Sequence, residues 1–121
     1  MNAKPIEASC HCGAIKFEVD AELKEVTECN CSIYRRSGGL WGYFSPRQVR
    51  FTENRGTDFY MWGDRMLELH RCKVCGCVTH WLAVKPDYDR MGVNARMMAP
   101  AILAQARVRR IDGADTWKEL P

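Results

Sequence analysis

Residues 70–81 read HRCKVCGCVTHW. Cys72 and Cys75 form a C-x-x-C pair, and Gly76 follows at once, where a tight turn often needs a left-handed backbone residue. Such a turn presents both sulfurs to one ion. The next stretch, VTHWLAV (78–84), is rich in β-branched and aromatic residues and reads as a strand. A redox C-x-x-C would instead open a helix in a βαβ context. The pair therefore points to metal on a β scaffold, and the remaining ligands must come from elsewhere in the chain.

The chain has seven cysteines, an odd number that a full set of disulfides would not use up. Cys10-His11-Cys12-Gly13 supplies a second pair. On a strand, residues i and i+2 share a face with Cα atoms roughly 6.5 Å apart. Two thiolates so placed can converge on one ion with Zn–S near ~2.3 Å, whereas a disulfide between them would be strained. Cys10, Cys12, Cys72 and Cys75 together make a closed Cys₄ tetrahedron, a structural zinc site by type. The third group lies in CNCSIYRR (29–36). Cys29 and Cys31 would fill half a zinc shell, and an open shell is what catalytic zinc needs. Cys77 is a further thiol. It is either a replacement ligand for the middle pair or a small buried residue.

At 121 residues the chain reads as one domain, 1–121, able to bury roughly two thirds of its unfolded surface. No apolar run approaches the ~18 residues of a membrane span. The N-terminal MNAKPIEAS has one lysine and no apolar segment, so it does not read as a secretory signal. The expectation is a cytoplasmic protein with reduced thiols. The net charge is +3, which falls to about +1 once four thiolates hold a zinc ion. No basic stripe is concentrated anywhere, so nucleic acid is not an expected partner.

Short stretches bounded by turns dominate. AIKFEV (14–19), EVTECNC (25–31), LWGYFS (40–45), VRF (49–51), DFYMW (58–62), MLELHRC (66–72), VTHWLAV (78–84) and ARVRRI (106–111) all read as strands. One short helix is expected around PAILAQA (100–106), with Pro100 in its first turn. Residues 90–96 read as an edge strand with Arg90, Asn94 and Arg96 on one face. The fold class is mainly β.

SCHCGAIKFEV, CNCSIYRRSG, HRCKVCGCVTHW and RMGVNARMM, in that order, resemble the glutathione-dependent formaldehyde-activating enzyme family, also called the Gfa or centromere-protein-V domain. The resemblance covers about residues 7–117. It implies an Mss4-like zinc-binding β scaffold of several small antiparallel sheets. It also implies a structural zinc on Cys10, Cys12, Cys72 and Cys75. The family's middle motif is C-x-C-x-x-C and holds a second zinc linked to activity. Cys29 and Cys31 match its first two members, but Tyr34 stands where the third cysteine belongs. A phenol with pKa near ~10 is a poor ligand beside a thiolate.

By resemblance the activity is that of a carbon–sulfur lyase of the S-hydroxymethylglutathione synthase type. Cys29 and Cys31 would be the catalytic metal ligands, and glutathione or another small thiol the partner. Glutathione carries two carboxylates, so Arg35 and Arg36 are candidate clamps and the Gly38-Gly39 turn a source of backbone amides. Trp41, Tyr43, Phe44, Trp62 and Trp81 are candidate pocket walls or core residues. His80 is a candidate base or ligand, or a half-buried structural histidine. The alternative to an enzyme is a non-catalytic, zinc-stabilised thiol-binding or interaction module, as a monomer or small homo-oligomer.

Overall fold

The computed structural model describes residues 4–121; residues 1–3, at the start of the expected 1–121 domain, lie outside the described residues. The expected mainly β fold is what the described residues form: ten strands in two sheets with two short helices. β1 (Ile6–Ser9), β2 (Ile15–Val19) and β5 (Val49–Asn54) make a three-stranded antiparallel sheet in the order β1-β2-β5. The alternation in AIKFEV has its expected result, since Ile15, Phe17 and Val19 are all buried on one face.

The larger sheet has seven strands. They are β3 (Glu25–Cys29), β4 (Trp41–Phe44), β6 (Thr57–Tyr60), β7 (Leu67–Cys72), β8 (Val78–Ala83), β9 (Met91–Asn94) and β10 (Arg107–Ile111). Their order is β10-β3-β4-β9-β8-β7-β6, antiparallel throughout except that β10 runs parallel to β3. That parallel pair brings Ile111 opposite Cys29 and so delivers the C-terminal loop to the middle cysteines.

One core cluster joins Ile15, Phe17 and Val19 of the small sheet to Val26, Met91 and Val93 of the large one. On the other side, Trp41, Leu69 and Trp81 form a second cluster, with Ile33, Tyr34, Trp62 and Leu67 packed around it. Period-two alternation on β8 splits its neighbours between these clusters. His80 packs on Phe51 of the small sheet, and Trp81 turns the other way. The Trp81 indole lies so close to β9 that a Cβ at Gly92 would sit 2.0 Å from its Nε1.

Two local expectations are corrected. β3 ends at Cys29, and the chain then turns into a helix, α1 (Ser32–Ser37), with Cys31 at its N-cap. Gly38, in the left-handed region at φ 71°, closes that helix by donating its N–H to the Tyr34 carbonyl at 2.9 Å. The second correction concerns residues 90–96. β9 is central, between β4 and β8, and all four of its residues are buried. Asn94 can be buried there because its side chain is fully used. Its amide donates to the Val78 carbonyl, and its Oδ1 accepts from the N–H groups of Leu40 and Arg96. The expected helix forms as α2 (Pro100–Ala104). Among the described residues, no helix is long and apolar enough to cross a membrane.

Candidate functional site

The first and last cysteine pairs meet, as their spacing predicts. The ligand atoms of Cys10, Cys12, Cys72 and Cys75 all lie within 4.8 Å of one another. Cys10 Sγ and Cys12 Sγ are 3.7 Å apart, and Cys12 Sγ and Cys72 Sγ 3.6 Å. A tetrahedron with metal–sulfur bonds near 2.3 Å has edges of about 3.8 Å, so the cage fits a metal ion of that size. Cys10 and Cys12 sit in the turn after β1 rather than on the strand. The turn returns to β2 through left-handed Gly13, at φ 83°, and Gly76, at φ 79°, does the same after Cys75.

Backbone amides point at these sulfurs. Ile15 N–H donates to Cys10 Sγ at 3.3 Å, Ala14 N–H to Cys12 Sγ at 3.4 Å, and Val74 N–H to Cys72 Sγ at 3.4 Å. The amides of Cys77 and Cys12 pull the Cys75 thiol down to about 5. The fold therefore favours thiolate at Cys75 before an ion arrives, whereas the Cys12 thiol is pushed up to about 11. Cys77 belongs here too, since its thiol contacts Cys75 and takes an N–H from His11. It is thus not the replacement ligand for Cys29 and Cys31 that the sequence offered.

Cys29 closes β3 and Cys31 opens α1, and the two thiols are in hydrogen-bond contact. Among the described residues no third His, Cys, Asp or Glu joins them in a metal-sized group. Burial raises the Cys31 thiol, partly opposed by the Tyr34 N–H. Burial likewise raises the Tyr34 phenol, which keeps its proton at neutral pH. The Tyr34 ring has structural work instead. It packs 5.1 Å from Trp41 and meets Trp62 edge-on at 6.4 Å. A second zinc therefore does not fit these residues.

The two cysteines open into a cavity of about 640 Å³. Tyr34, Trp62, Leu67 and Trp117 give it apolar walls, and Arg35 and Asp64 are the charged residues on its lining. Behind Cys29, Tyr34 and Arg35 runs a smaller cleft of about 310 Å³ that includes Gly38, Gly39, Arg96 and Arg110. Arg96 Nε is held by the Gly38 carbonyl at 2.7 Å. Of the proposed clamps, Arg35 lines both spaces. Arg36 turns back to donate to the Ser32 carbonyl at 2.7 Å and faces a separate groove with Tyr60 and Arg71.

Of the aromatic candidates, Trp62 lines the cavity, whereas Trp41 and Trp81 are core and Phe44 is buried in the other cluster. Tyr43 carries Arg90 over its ring at 4.8 Å. His80 is buried, stacked on His70 with centroids 4.7 Å apart and bonded through Nδ1 to Thr79 Oγ1 at 2.8 Å, away from the cavity.

Sequence reasoning missed the C-terminal loop. Asn30 donates to Asp112 Oδ1 at 2.9 Å and accepts from Ala114 N–H at 2.9 Å, latching that loop across the cysteine pair. Behind the latch, a Cβ on Gly113 would lie 2.4 Å from Cys29 Sγ and 3.3 Å from Cζ3 of Trp117. The only signal in the sequence was Asp112-Gly113, a turn dipeptide that says nothing about what the turn touches.

A solved structure of a Rhodobacter sphaeroides protein is similar to this chain, with a TM-score of 0.68 and 25% identity over 85% of this chain and 99% of that one. No curated protein gives a significant match. The family model for the glutathione-dependent formaldehyde-activating enzyme matches residues 5–108, a stretch holding all three cysteine groups, and the chain belongs to this GFA family.

Proposed function

We propose that this protein binds glutathione, or another small carboxylate-bearing thiol, beside Cys29 and Cys31 and handles its adducts with formaldehyde-type carbonyls. The fold is tied by one zinc ion on Cys10, Cys12, Cys72 and Cys75. The observation that carries this is the placement of the two cysteines between an apolar cavity and a cleft holding Arg35, Arg96 and Arg110. The ligand's sulfur lies at the cysteines, and its carboxylates lie on the arginines and on the Gly38-Gly39 backbone. In the adduct-forming direction, the thiol sulfur bonds to the carbonyl carbon, and its proton ends on the carbonyl oxygen. The reverse step returns thiol and aldehyde.

The residues present supply binding and orientation. The family's zinc on a three-cysteine motif would supply thiol activation, and this chain offers two of those cysteines. Protonated, ring-packed Tyr34 therefore favours a second reading, a thiol-binding module with little turnover. Either way it would work on reduced thiols in the cytoplasm.

Calorimetry with glutathione tests the proposal. Binding is expected in the micromolar to millimolar range usual for small substrates, weakened by Arg35→Ala. No heat at millimolar glutathione, or binding indifferent to Arg35→Ala, would remove it. Turnover that adds formaldehyde to glutathione faster than in buffer, with one zinc per chain, would favour the enzyme over the module.

A further inference from the structure

We infer that the carbonyl partner at this site is an aromatic or bulky apolar aldehyde, carried as its adduct with a carboxylate-bearing thiol, rather than a one-carbon aldehyde. This rests on the thiol site proposed above and names what fills its other half.

Size is the first reason. A one-carbon aldehyde is little larger than a water, whose share of liquid volume is ~30 Å³. The cavity beside Cys29 and Cys31 is about 640 Å³, within the range of sites that hold much larger ligands.

The walls are the second reason. Trp62 is held upright by Tyr60, stacked at 5.8 Å with planes 8° apart, and by the edge of Tyr34. Across the cysteines stands Trp117, 69% exposed and in the left-handed backbone region at φ 62°. A tryptophan there gains little from the core and strains the backbone, and such outliers concentrate at ligand sites. The Asn30–Asp112 latch and the bond from Trp117 N–H to the Asp112 carbonyl, at 2.7 Å, hold it in place. Gly113 and Trp117 also lie beyond the stretch that matches the family.

Charge is the third reason. The arginines sit in the cleft on the far side of Cys29, three of them against Glu28. Among the described residues, Arg35 and Arg110 make no ion pair. A ligand with carboxylates at one end, sulfur in the middle and a flat apolar group at the other matches cleft, cysteines and cavity in that order.

The test uses stable thioethers in place of the labile adducts. Calorimetry compares S-benzylglutathione, S-methylglutathione, glutathione and benzyl alcohol on the zinc-loaded chain. The benzyl compound should bind at least about tenfold tighter than the methyl compound. Trp117→Ala, a change at an exposed position, should erase that difference, while Arg110→Ala should weaken both alike. Equal binding of the two thioethers, or a benzyl preference that survives Trp117→Ala, overturns the inference and leaves the thiol site standing. Benzyl alcohol bound in a Trp117-dependent way, with no glutathione derivative bound, upholds the aromatic subsite and removes the thiol reading. No binding by any of the four removes both.

Discussion

Gly113 lies against the sulfur of Cys29, with room for no side chain between them: a Cβ there would come within 2.4 Å of Sγ and 3.1 Å of the Cys31 Cβ. The contact joins two segments more than eighty residues apart and makes the C-terminal loop one wall of the cysteine site. Gly113→Ala should push the loop off Cys29. Overpacking of this kind costs about 1–3 kcal/mol. The expected outcome is a lower melting temperature, faster reaction of Cys29 with a thiol reagent, and weaker glutathione binding. Unchanged binding with faster labelling would show that the ligand does not use this wall.

Zinc and fold should be lost together. Cys75→Ala deletes one corner of the closed cage, and structural zinc sites contribute ~10–16 kcal/mol, comparable to the whole stability of a small domain. Purified protein should carry close to one zinc per chain. The variant, or the wild type treated with a strong chelator, should lose both zinc and cooperative melting. A metal-free variant that melts like wild type would refute the assignment.

Tyr34→Cys restores the family's three-cysteine spacing at the cost of the ring packed on Trp41 and Trp62. Removing a partly buried aromatic ring from such a cluster costs about 2–4 kcal/mol. The variant should be less stable when metal-free and should bind nearly two zinc ions per chain. A zinc content that stays at one would mean that Cys29 and Cys31 cannot form a metal site in this fold.

His80 gives the protein an acid-labile core. Burial, together with the charge of neighbouring His70, lowers it to about 3, and Glu68 stands behind His70 at 3.0 Å. A histidine whose folded pKa is depressed stays neutral in the fold while the unfolded chain takes up a proton. Stability is therefore full above the unfolded value near ~6.5 and is lost progressively as pH falls toward 3, by on the order of 5 kcal/mol in total. His80→Phe keeps the stack between Phe51 and His70 and removes the titration. Melting temperatures from pH 7 to pH 4.5 should fall more steeply for wild type than for the variant. Parallel curves would assign the acid sensitivity elsewhere.

The sequence by itself was enough for the mainly β class, most strand positions and the four-cysteine cage. Each rests on short-range rules: alternation fixes which face of a strand is buried, and a C-x-x-C followed by glycine closes a knuckle within a few residues. It was also enough to show that Tyr34 breaks the middle motif. It was not enough to see that Cys31 starts a helix, because six residues from Ser32 to Ser37 carry no apolar period long enough to read. Nor could it show that Met91–Asn94 lies in the middle of a sheet, since an asparagine becomes buriable only when Val78, Leu40 and Arg96 come to meet it. The tertiary structure alone decided that Cys77 lies beside the structural cage, that Arg36 turns away, and that Asn30, Asp112, Gly113 and Trp117 build the pocket. The contacts of the C-terminal loop follow from β10 pairing parallel to β3, and strand pairing across eighty residues depends on the packing of the whole sheet rather than on any local pattern.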